Sequence, residues 1–208
     1  MAGDLRLNGP DPSWPGASRR SPGLDDPAYV TLRLLREEVE DFAKQIVPPA
    51  TVLDLGAGSV PYAPLFNSAI HYVSVDLEKR YPTRLVADFA HALPFGDGVI
   101  DVVLCTQVLE HVANPESVAK EIHRVLKPSG KGLITVPFAW EIHHYPDDCH
   151  RFTPFSLQRL FGEFATCLLK KTLLACDALR QLHIRFQHIL NTPEEVQNAR
   201  DFETVPNL

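Results

Sequence analysis

A short apolar segment that runs directly into a glycine turn limits the folds open to this chain. The segment reads Val52-Leu53-Asp54-Leu55-Gly56-Ala57-Gly58. Its first four residues have the length and composition of a buried strand. Gly56 and Gly58 lack a Cβ, which lets the backbone turn tightly and approach a ligand closely. The same glycines would also suit a purely structural connection between a strand and a helix.

Predicted strands and helices alternate along the chain on either side of this turn. Apolar, β-branched segments predict strands at 51–55, 71–75, 84–87, 101–106 and 132–136. Apolar residues at three- and four-residue steps predict helices at 29–46, 114–126 and 153–161. Asn114 is placed to cap the second of these helices, and Thr153-Pro154 opens the third. The alternation predicts an α/β fold, with a Rossmann-like, mostly parallel sheet and helices on both faces.

The chain divides into a leader and one domain. Residues 1–27 contain five prolines and four glycines, a composition that predicts a flexible leader. A segment that orders as a lid over a ligand is the alternative. The domain is predicted to occupy 28–208. Beyond Phe164 the pattern weakens, with a strand expected over 165–172 and a helix over 173–190.

Composition narrows the expected partners and the compartment. The formal net charge is −6 and no lysine- or arginine-rich block is present, so no nucleic acid partner is predicted. The four cysteines lack CxxC spacing, which is typical of a reduced, cytoplasmic protein. Neither a signal-peptide pattern nor an apolar run near about 20 residues is found, so no membrane association is predicted. The oligomeric state stays open.

A carboxylate, Asp76, lies eighteen residues beyond the glycine turn, at the end of Val73-Ser74-Val75-Asp76. In a parallel sheet of this kind such an acid can accept hydrogen bonds from both ribose hydroxyls, so the pair predicts a nucleoside site. A dinucleotide site requires a third glycine near the pyrophosphate. This glycine is missing here, because Ser59-Val60-Pro61 follows Gly58. Asp54, two residues before the first glycine, favours a ligand with a free ammonium group.

In these blocks the chain resembles the class I S-adenosylmethionine-dependent methyltransferases, and in particular the type 11 methyltransferase domain. The likeness runs from about residue 51 to residue 161. Five blocks carry it in order, namely VLDLGAG at 52–58, VSVD at 73–76, ADF with LPF at 87–95, IDVVLC with VLEHV at 100–112, and VLKPSGKGL at 125–133. The resemblance implies an enzyme that transfers a methyl group from S-adenosylmethionine. It also implies further strands six and seven, of which strand seven is expected to be short or missing.

The resemblance assigns the cofactor residues position by position. The turn after the first strand would wrap the methionine part, and the acid after the second strand would hold the ribose. The carboxylate of Asp88 would accept from the adenine amine, and the backbone N–H of Phe89 would meet a ring nitrogen. The complete set of implied cofactor-binding residues is Asp54, Gly56, Gly58, Asp76, Leu77, Asp88, Phe89 and Thr106.

Candidate acceptor residues lie in the loops after the fourth and fifth strands, because ligands of open α/β sheets collect beyond the carboxyl ends of the strands. His143 and His150 are the candidate general bases, since histidine titrates near neutral pH, and His111 is placed nearer the cofactor. Each could instead have a structural role. No metal is predicted, because methyl transfer from a sulfonium needs none and the spacing matches no zinc signature.

A narrower likeness follows the fifth strand, over 136–157. It is a likeness to methyltransferases often found among glycan- and secondary-metabolite-modifying proteins, and it implies a small-molecule or glycan-type acceptor. Two other functions stay open. A non-catalytic S-adenosylmethionine-binding regulatory module would be expected to lose Asp54, the glycines or Asp76, and all are present. An NAD-dependent oxidoreductase would be expected to have the third glycine.

Overall fold

Five parallel strands form the centre of the computed structural model, which describes residues 16–26, 28–78, 83–140, 142–143 and 146–164. The strands are β1 Thr51–Leu55, β2 His71–Asp76, β3 Leu85–Val86, β4 Ile100–Thr106 and β5 Leu126–Thr135. Their order across the sheet is β3-β2-β1-β4-β5, and these neighbours all pair in parallel. The predicted α/β fold with a parallel sheet is confirmed.

Helices cover both faces of this sheet, because successive side chains of a strand point to opposite sides. Helix α2 Tyr29–Lys44 packs on one face. Helix α3 Pro115–Val125 and the shorter α4 Pro154–Leu160 pack on the other. The buried stripes recur at the predicted helical spacing, with Leu35, Val39 and Ala43 in α2 and Val118, Ile122 and Val125 in α3.

Two helices begin at the residues that the sequence predicted. The Asn114 Oδ1 accepts a hydrogen bond from the backbone N–H of Ser117 at 3.1 Å. The Thr153 Oγ1 accepts one from the backbone N–H of Ser156 at 3.2 Å. Each bond satisfies a donor that the first turn of a helix would otherwise leave without a partner. Both predicted starts are confirmed.

Strand β5 differs from the prediction of a helix that ends at residue 126 and a strand at 132–136. The strand begins directly at Leu126. Ile100 of β4 pairs with Leu126, and the next pair is Val102 with Lys131. Between these two pairs β5 therefore advances by five residues while β4 advances by two. The extra residues bulge from the ladder, and they include Pro128, which has no N–H to donate. The segment expected to separate helix from strand is therefore a bulge within the strand.

The predicted flexible leader enters the described residues only at its end, where Ala17–Arg20 forms the short helix α1. Arg20 is buried, and its guanidinium donates to the carbonyl oxygen of Pro61 at 2.9 Å. Gly16 lies so close to the glycine turn that a Cβ there would be 2.5 Å from the Ser59 Oγ. These contacts join the end of the leader to residues beside the glycine turn, while the division at residue 27 and the alternative of a lid over the ligand both stay predictions. Residues 1–15 lie outside the described residues.

The predictions for 165–208 also lie outside the described residues. They concern the strand at 165–172, the helix at 173–190 and the extent of strand seven. Within the part of the chain that the structure does describe, no helix combines the length and the apolar character needed to cross a membrane.

Candidate functional site

The candidate site lies at the carboxyl edge of the parallel sheet. The turn after β1, the end of β2 and the loop after β4 meet there, because β1 pairs with both β2 and β4. The strand order also changes direction between β1 and β4. Open α/β sheets bind ligands in the crevice beyond such a switch point.

The two glycines of the turn both have a left-handed backbone, with φ of +65° at Gly56 and +52° at Gly58. Their surroundings differ. A Cβ at Gly56 would lie 2.4 Å from the Val108 Cγ2, so this glycine lets the turn pack against the β4 loop. A Cβ at Gly58 would meet no atom within 4 Å. Gly58 is therefore the glycine beside which a ligand has room to approach the backbone.

Asp76 ends β2 and is tied to this turn. Its Oδ2 accepts a hydrogen bond from the backbone N–H of Gly58 at 2.7 Å, and its Oδ1 accepts one from Glu78 at 3.3 Å. An ionised carboxylate offers about four acceptor positions, so this half-buried group has lone pairs left for further donors. The eighteen-residue spacing seen in the sequence corresponds to direct contact in the fold.

Asp54 lies within β1 and is 2% exposed. Burial raises the pKa of its carboxyl to about 7, a hydrogen bond from the Tyr72 hydroxyl opposes that rise, and the nearby Asp76 carboxylate adds to it. The Tyr72 hydroxyl donates to the Asp54 Oδ2 at 2.7 Å. A carboxylate buried beside a neutral hydroxyl is costly to ionise, and a cation placed next to it would reduce that cost.

The other predicted cofactor residues lie along the same edge. Leu77, directly after β2, is 57% exposed although it is apolar. The carboxylate of Asp88 accepts hydrogen bonds within its own turn and stays about half exposed. The Phe89 side chain is buried in the core, so its backbone is the part that could contact a ligand. Thr106 is buried at the end of β4.

An ion pair on α3 holds the loop that follows Phe89, and sequence analysis did not single it out. The Glu121 Oε1 accepts the backbone N–H of Leu93 at 2.6 Å, and the Arg124 guanidinium donates to the carbonyl oxygen of Phe95 at 2.9 Å. The two side chains also bond to each other. An acid and a base three residues apart on the helix were the available sequence signal.

Glu110 is a second residue whose role was not predicted from the sequence, where it appears only within the block VLEHV. It lies in the 3₁₀ turn Leu109–His111 after β4, and its side chain is fully buried. Neither carboxylate oxygen has a hydrogen-bond partner among the described residues. Burial raises the pKa of this carboxyl to about 7. Just before it, Gln107 has a left-handed φ of +55°, a strained conformation for a residue with a Cβ and one that is frequent at functional sites.

Two of the three predicted histidines meet beside Glu110. The rings of His111 and His143 are 4.7 Å apart between centroids and meet edge to face. The His111 Nε2 lies 3.8 Å from the Glu110 Oε1. The side chain of His150 is not among the ligands of this cluster as the described residues define it. Its ring packs on Phe152 at 5.7 Å, and its backbone N–H donates to the carbonyl oxygen of Glu110.

Asp148 anchors the loop that carries His143. Hydrogen bonds from the Arg151 guanidinium, at 2.5 and 2.8 Å, hold the pKa of the Asp148 carboxyl well below its usual range. The Asp148 Oδ2 also lies 3.2 Å from the His143 Nδ1. Because an ionised carboxylate only accepts, this contact favours the ring hydrogen on Nδ1 and, in the neutral ring, the lone pair on Nε2.

These residues fit the cofactor that the resemblance implies. An adenosine-linked amino acid needs an open backbone position, an acceptor for the ribose and a carboxylate for the ammonium group. Gly58, Asp76 and Asp54 supply these three features at one edge of the sheet. A pyrophosphate would need a third glycine at position 61, where this chain has a buried proline, Pro61. The site suits S-adenosylmethionine better than a nicotinamide dinucleotide.

Comparison with known proteins leads to the same family. A family model described as a methyltransferase domain matches residues 53–134. An uncharacterized methyltransferase-like protein of Schizosaccharomyces pombe is 31% identical over 172 residues, which cover 69% of this chain and 67% of that protein. An uncharacterized methyltransferase of Mycolicibacterium gilvum is 36% identical over 97 residues, which cover 41% of this chain and only 38% of that protein.

Solved structures agree on the fold. A SAM-dependent methyltransferase from Archaeoglobus fulgidus matches with a TM-score of 0.53 at 15% identity, over 77% of this chain and 87% of that chain. A likeness at this identity concerns the fold alone. Three observations together are sufficient to assign the family. They are the strand order, the glycine turn with its acid, and the similarity to two thirds of the fission yeast relative. The chain belongs to the class I methyltransferases, which use S-adenosylmethionine as methyl donor.

Proposed function

We propose that this methyltransferase acts on a small-molecule or glycan-type acceptor held between the loops after β4 and β5. The observation that carries the proposal is the meeting of His111 and His143 at the carboxyl edge, where Val108 of the same β4 loop packs against the glycine turn at Gly56. Imidazoles at an open edge suit the deprotonation of a polar acceptor. The net charge of −6 argues against an acceptor within nucleic acid, whose phosphates the protein would repel.

We also assign the cofactor contacts and the compartment. In this assignment the backbone at Gly56 and Gly58 follows the methionine part, Asp54 faces the ammonium group, and Asp76 accepts from the ribose hydroxyls. Asp88 and Phe89 contact the adenine. Leu77, directly after β2, and Thr106, at the end of β4, complete the cofactor site. The free thiols of Cys105 and Cys149 support a reducing, cytoplasmic location.

The residues of the chain would position the acceptor and hold its proton. S-adenosylmethionine supplies a methyl group that its positive sulfur already activates. Alignment of reacting atoms accounts for up to about 7–11 kcal/mol in favourable model reactions. Asp148 holds the ring of His143 from the Nδ1 side, and the imidazole is the proposed acceptor of the proton. Arg151 keeps Asp148 ionised, so the carboxylate does not compete for that proton.

The acceptor class is tested by methyl transfer from radiolabelled S-adenosylmethionine. The full chain is incubated with a library of monosaccharides, oligosaccharides and small hydroxylated compounds, and in parallel with transfer RNA, DNA and a protein mixture. We expect label in one or more of the small acceptors. Label confined to nucleic acid or to protein would contradict the proposal. Reactions with the labelled cofactor but without the protein control for enzyme-independent methylation.

The affinity for S-adenosylhomocysteine is expected to fall by about tenfold between pH 8 and pH 6. The Asp54 carboxyl of the ligand-free protein has a pKa of about 7 and binds an ammonium group only when ionised. Below that pH, binding must first remove a proton, at a cost of up to tenfold per pH unit. Isothermal titration calorimetry across this range measures the effect.

Two variants separate Asp54 from other titrating groups. Asp54→Asn is expected to bind more weakly and to lose most of the pH dependence. Tyr72→Phe removes the hydrogen bond that lowers the pKa of Asp54, so the midpoint of the dependence should move to higher pH. An unchanged pH dependence in Asp54→Asn would show that Asp54 does not meet the ammonium group.

A further inference from the structure

Glu110, His111 and His143 place three metal-binding side chains together outside the cofactor residues. One ligand atom from each lies within 4.8 Å of the other two. The Glu110 Oε1 and the His111 Nε2 are 3.8 Å apart. Glu110 and His111 come from the turn after β4, and His143 comes from the loop after β5. Adjacent parallel strands bring the two loops to the same edge.

An independent observation at Glu110 favours a cation as the partner of its carboxylate. The side chain is 0% exposed, and both of its oxygens are buried without a hydrogen-bond partner among the described residues. An isolated buried carboxylate is costly, and such groups are normally paired or bound to a metal. The nearby guanidinium of Arg151 bonds instead to Asp148 and to the carbonyl oxygens of His150 and Trp140.

Each of the two histidines has an oxygen acceptor beside its Nδ1, an arrangement that favours the ring hydrogen on Nδ1 and the lone pair on Nε2. The His111 Nδ1 lies 3.0 Å from the carbonyl oxygen of Asp147, and the His143 Nδ1 lies 3.2 Å from the Asp148 Oδ2. Since these oxygens only accept, each neutral ring carries its hydrogen on Nδ1 and its lone pair on Nε2. A carbonyl or carboxylate behind the ring is the usual second partner of a metal-bound histidine.

We propose that Glu110, His111 and His143 bind a divalent transition-metal cation of the Zn²⁺ type. Two imidazoles favour such an ion over Mg²⁺ or Ca²⁺, which prefer oxygen ligands. Bonds of about 2.0–2.2 Å in a tetrahedral site put ligand atoms roughly 3.4 Å apart, so the cluster would contract by about 1 Å. The proposal differs from the sequence-based expectation of no metal, because the ligands lie in two loops whose approach the sequence did not show.

The site would leave one coordination position open toward the acceptor, as catalytic three-ligand zinc sites do. Resting on the proposed function, this position would take an acceptor hydroxyl and lower its pKa. With the ion bound, His143 would act as a metal ligand in place of its role as proton acceptor, and the proton would pass to solvent. The hydroxyl oxygen then forms a bond to the methyl carbon. The carbon–sulfur bond breaks, and its electron pair stays on sulfur in S-adenosylhomocysteine.

The test is calorimetric titration of Zn²⁺ into the tag-free full chain after removal of metal by a chelator. We expect one ion per chain. His143→Ala and Glu110→Gln should each weaken binding by at least about tenfold, which is what loss of even an outer partner of a metal ligand costs. His71→Ala is the matched control, since this exposed histidine begins β2 at the opposite edge of the sheet. Co²⁺ in place of Zn²⁺ should give the visible absorption of a tetrahedral site.

Retention of full Zn²⁺ affinity by His143→Ala, or no binding by the parent chain, would overturn the site. His143 is partly exposed, so we expect His143→Ala to fold. This variant therefore tests the metal site even if Glu110→Gln does not fold. Zn²⁺ binding that depends on these residues, together with methyl transfer only to nucleic acid or protein, would uphold the site and reject the proposed function. Transfer to a small acceptor that chelation does not slow would reject the acceptor role of the ion.

Discussion

Replacing His143 by alanine is expected to lower turnover by about 10²–10⁴ while the affinity for S-adenosylmethionine stays nearly unchanged. The ring faces the Asp148 carboxylate through Nδ1 and the His111 ring edge to face, at the acceptor side of the carboxyl edge. Its loss removes the proton acceptor, or the metal ligand if the ion is present. Turnover on the acceptor found in the radiolabel screen and calorimetric cofactor binding are measured on the same preparation.

The control for this prediction is Ile142→Ala, which alters a neighbouring, 78% exposed side chain of the same loop. That variant should keep its turnover. A residue that only positions the acceptor would mainly raise the Michaelis constant, so kcat and KM are determined separately. His150→Ala is expected to have the smaller effect, because His150 packs on Phe152 and lies apart from the cluster. Full turnover in His143→Ala would show that the proton is held elsewhere or needs no base.

Replacing Asp76 by alanine is expected to weaken S-adenosylhomocysteine binding by roughly ten- to a hundredfold. The carboxylate would accept from two ribose hydroxyls, and hydrogen bonds to a charged group contribute about 1.5–3 kcal/mol. It also accepts the backbone N–H of Gly58 at 2.7 Å, so its removal loosens the turn that follows β1. Isothermal titration calorimetry gives the dissociation constant, and chemical denaturation shows whether the variant is folded.

Glu78→Ala provides the matched control for Asp76, because it removes the same charge two residues away. It should bind the ligand nearly as well as the parent chain. Asp76→Asn keeps one acceptor oxygen and should fall between the two. An unchanged dissociation constant in a folded Asp76→Ala variant would remove this residue from the cofactor site.

Local patterns in the sequence were sufficient for the fold and for several details of the site. The strand-to-turn segment at 52–58, the spacing to Asp76 and the caps at Asn114 and Thr153 all depend on neighbours within a few residues or on one strand pairing. Such signals survive in a single sequence because backbone geometry and capping chemistry restrict which residue types fit. The parallel sheet followed from the alternation of strands and helices.

Long-range packing decided what the sequence left open. Gly56 and Gly58 read alike in the sequence, but only the approach of Val108 from the β4 loop shows that they serve different needs. The bulge in β5 depends on its pairing with β4, which no pattern within 126–135 reveals.

The acceptor side shows the same division between sequence and tertiary structure. The sequence identified histidines in the two loops after β4 and β5, from residue type and position alone. It could not tell that His111 and His143 meet beside Glu110 while His150 packs on Phe152. The residues come from separate loops, and their distances are set by the pairing of β4 with β5 and by the Asp148–Arg151 ion pair. Burial of Glu110 likewise arises only when those elements pack, which is why its role depends on the tertiary structure.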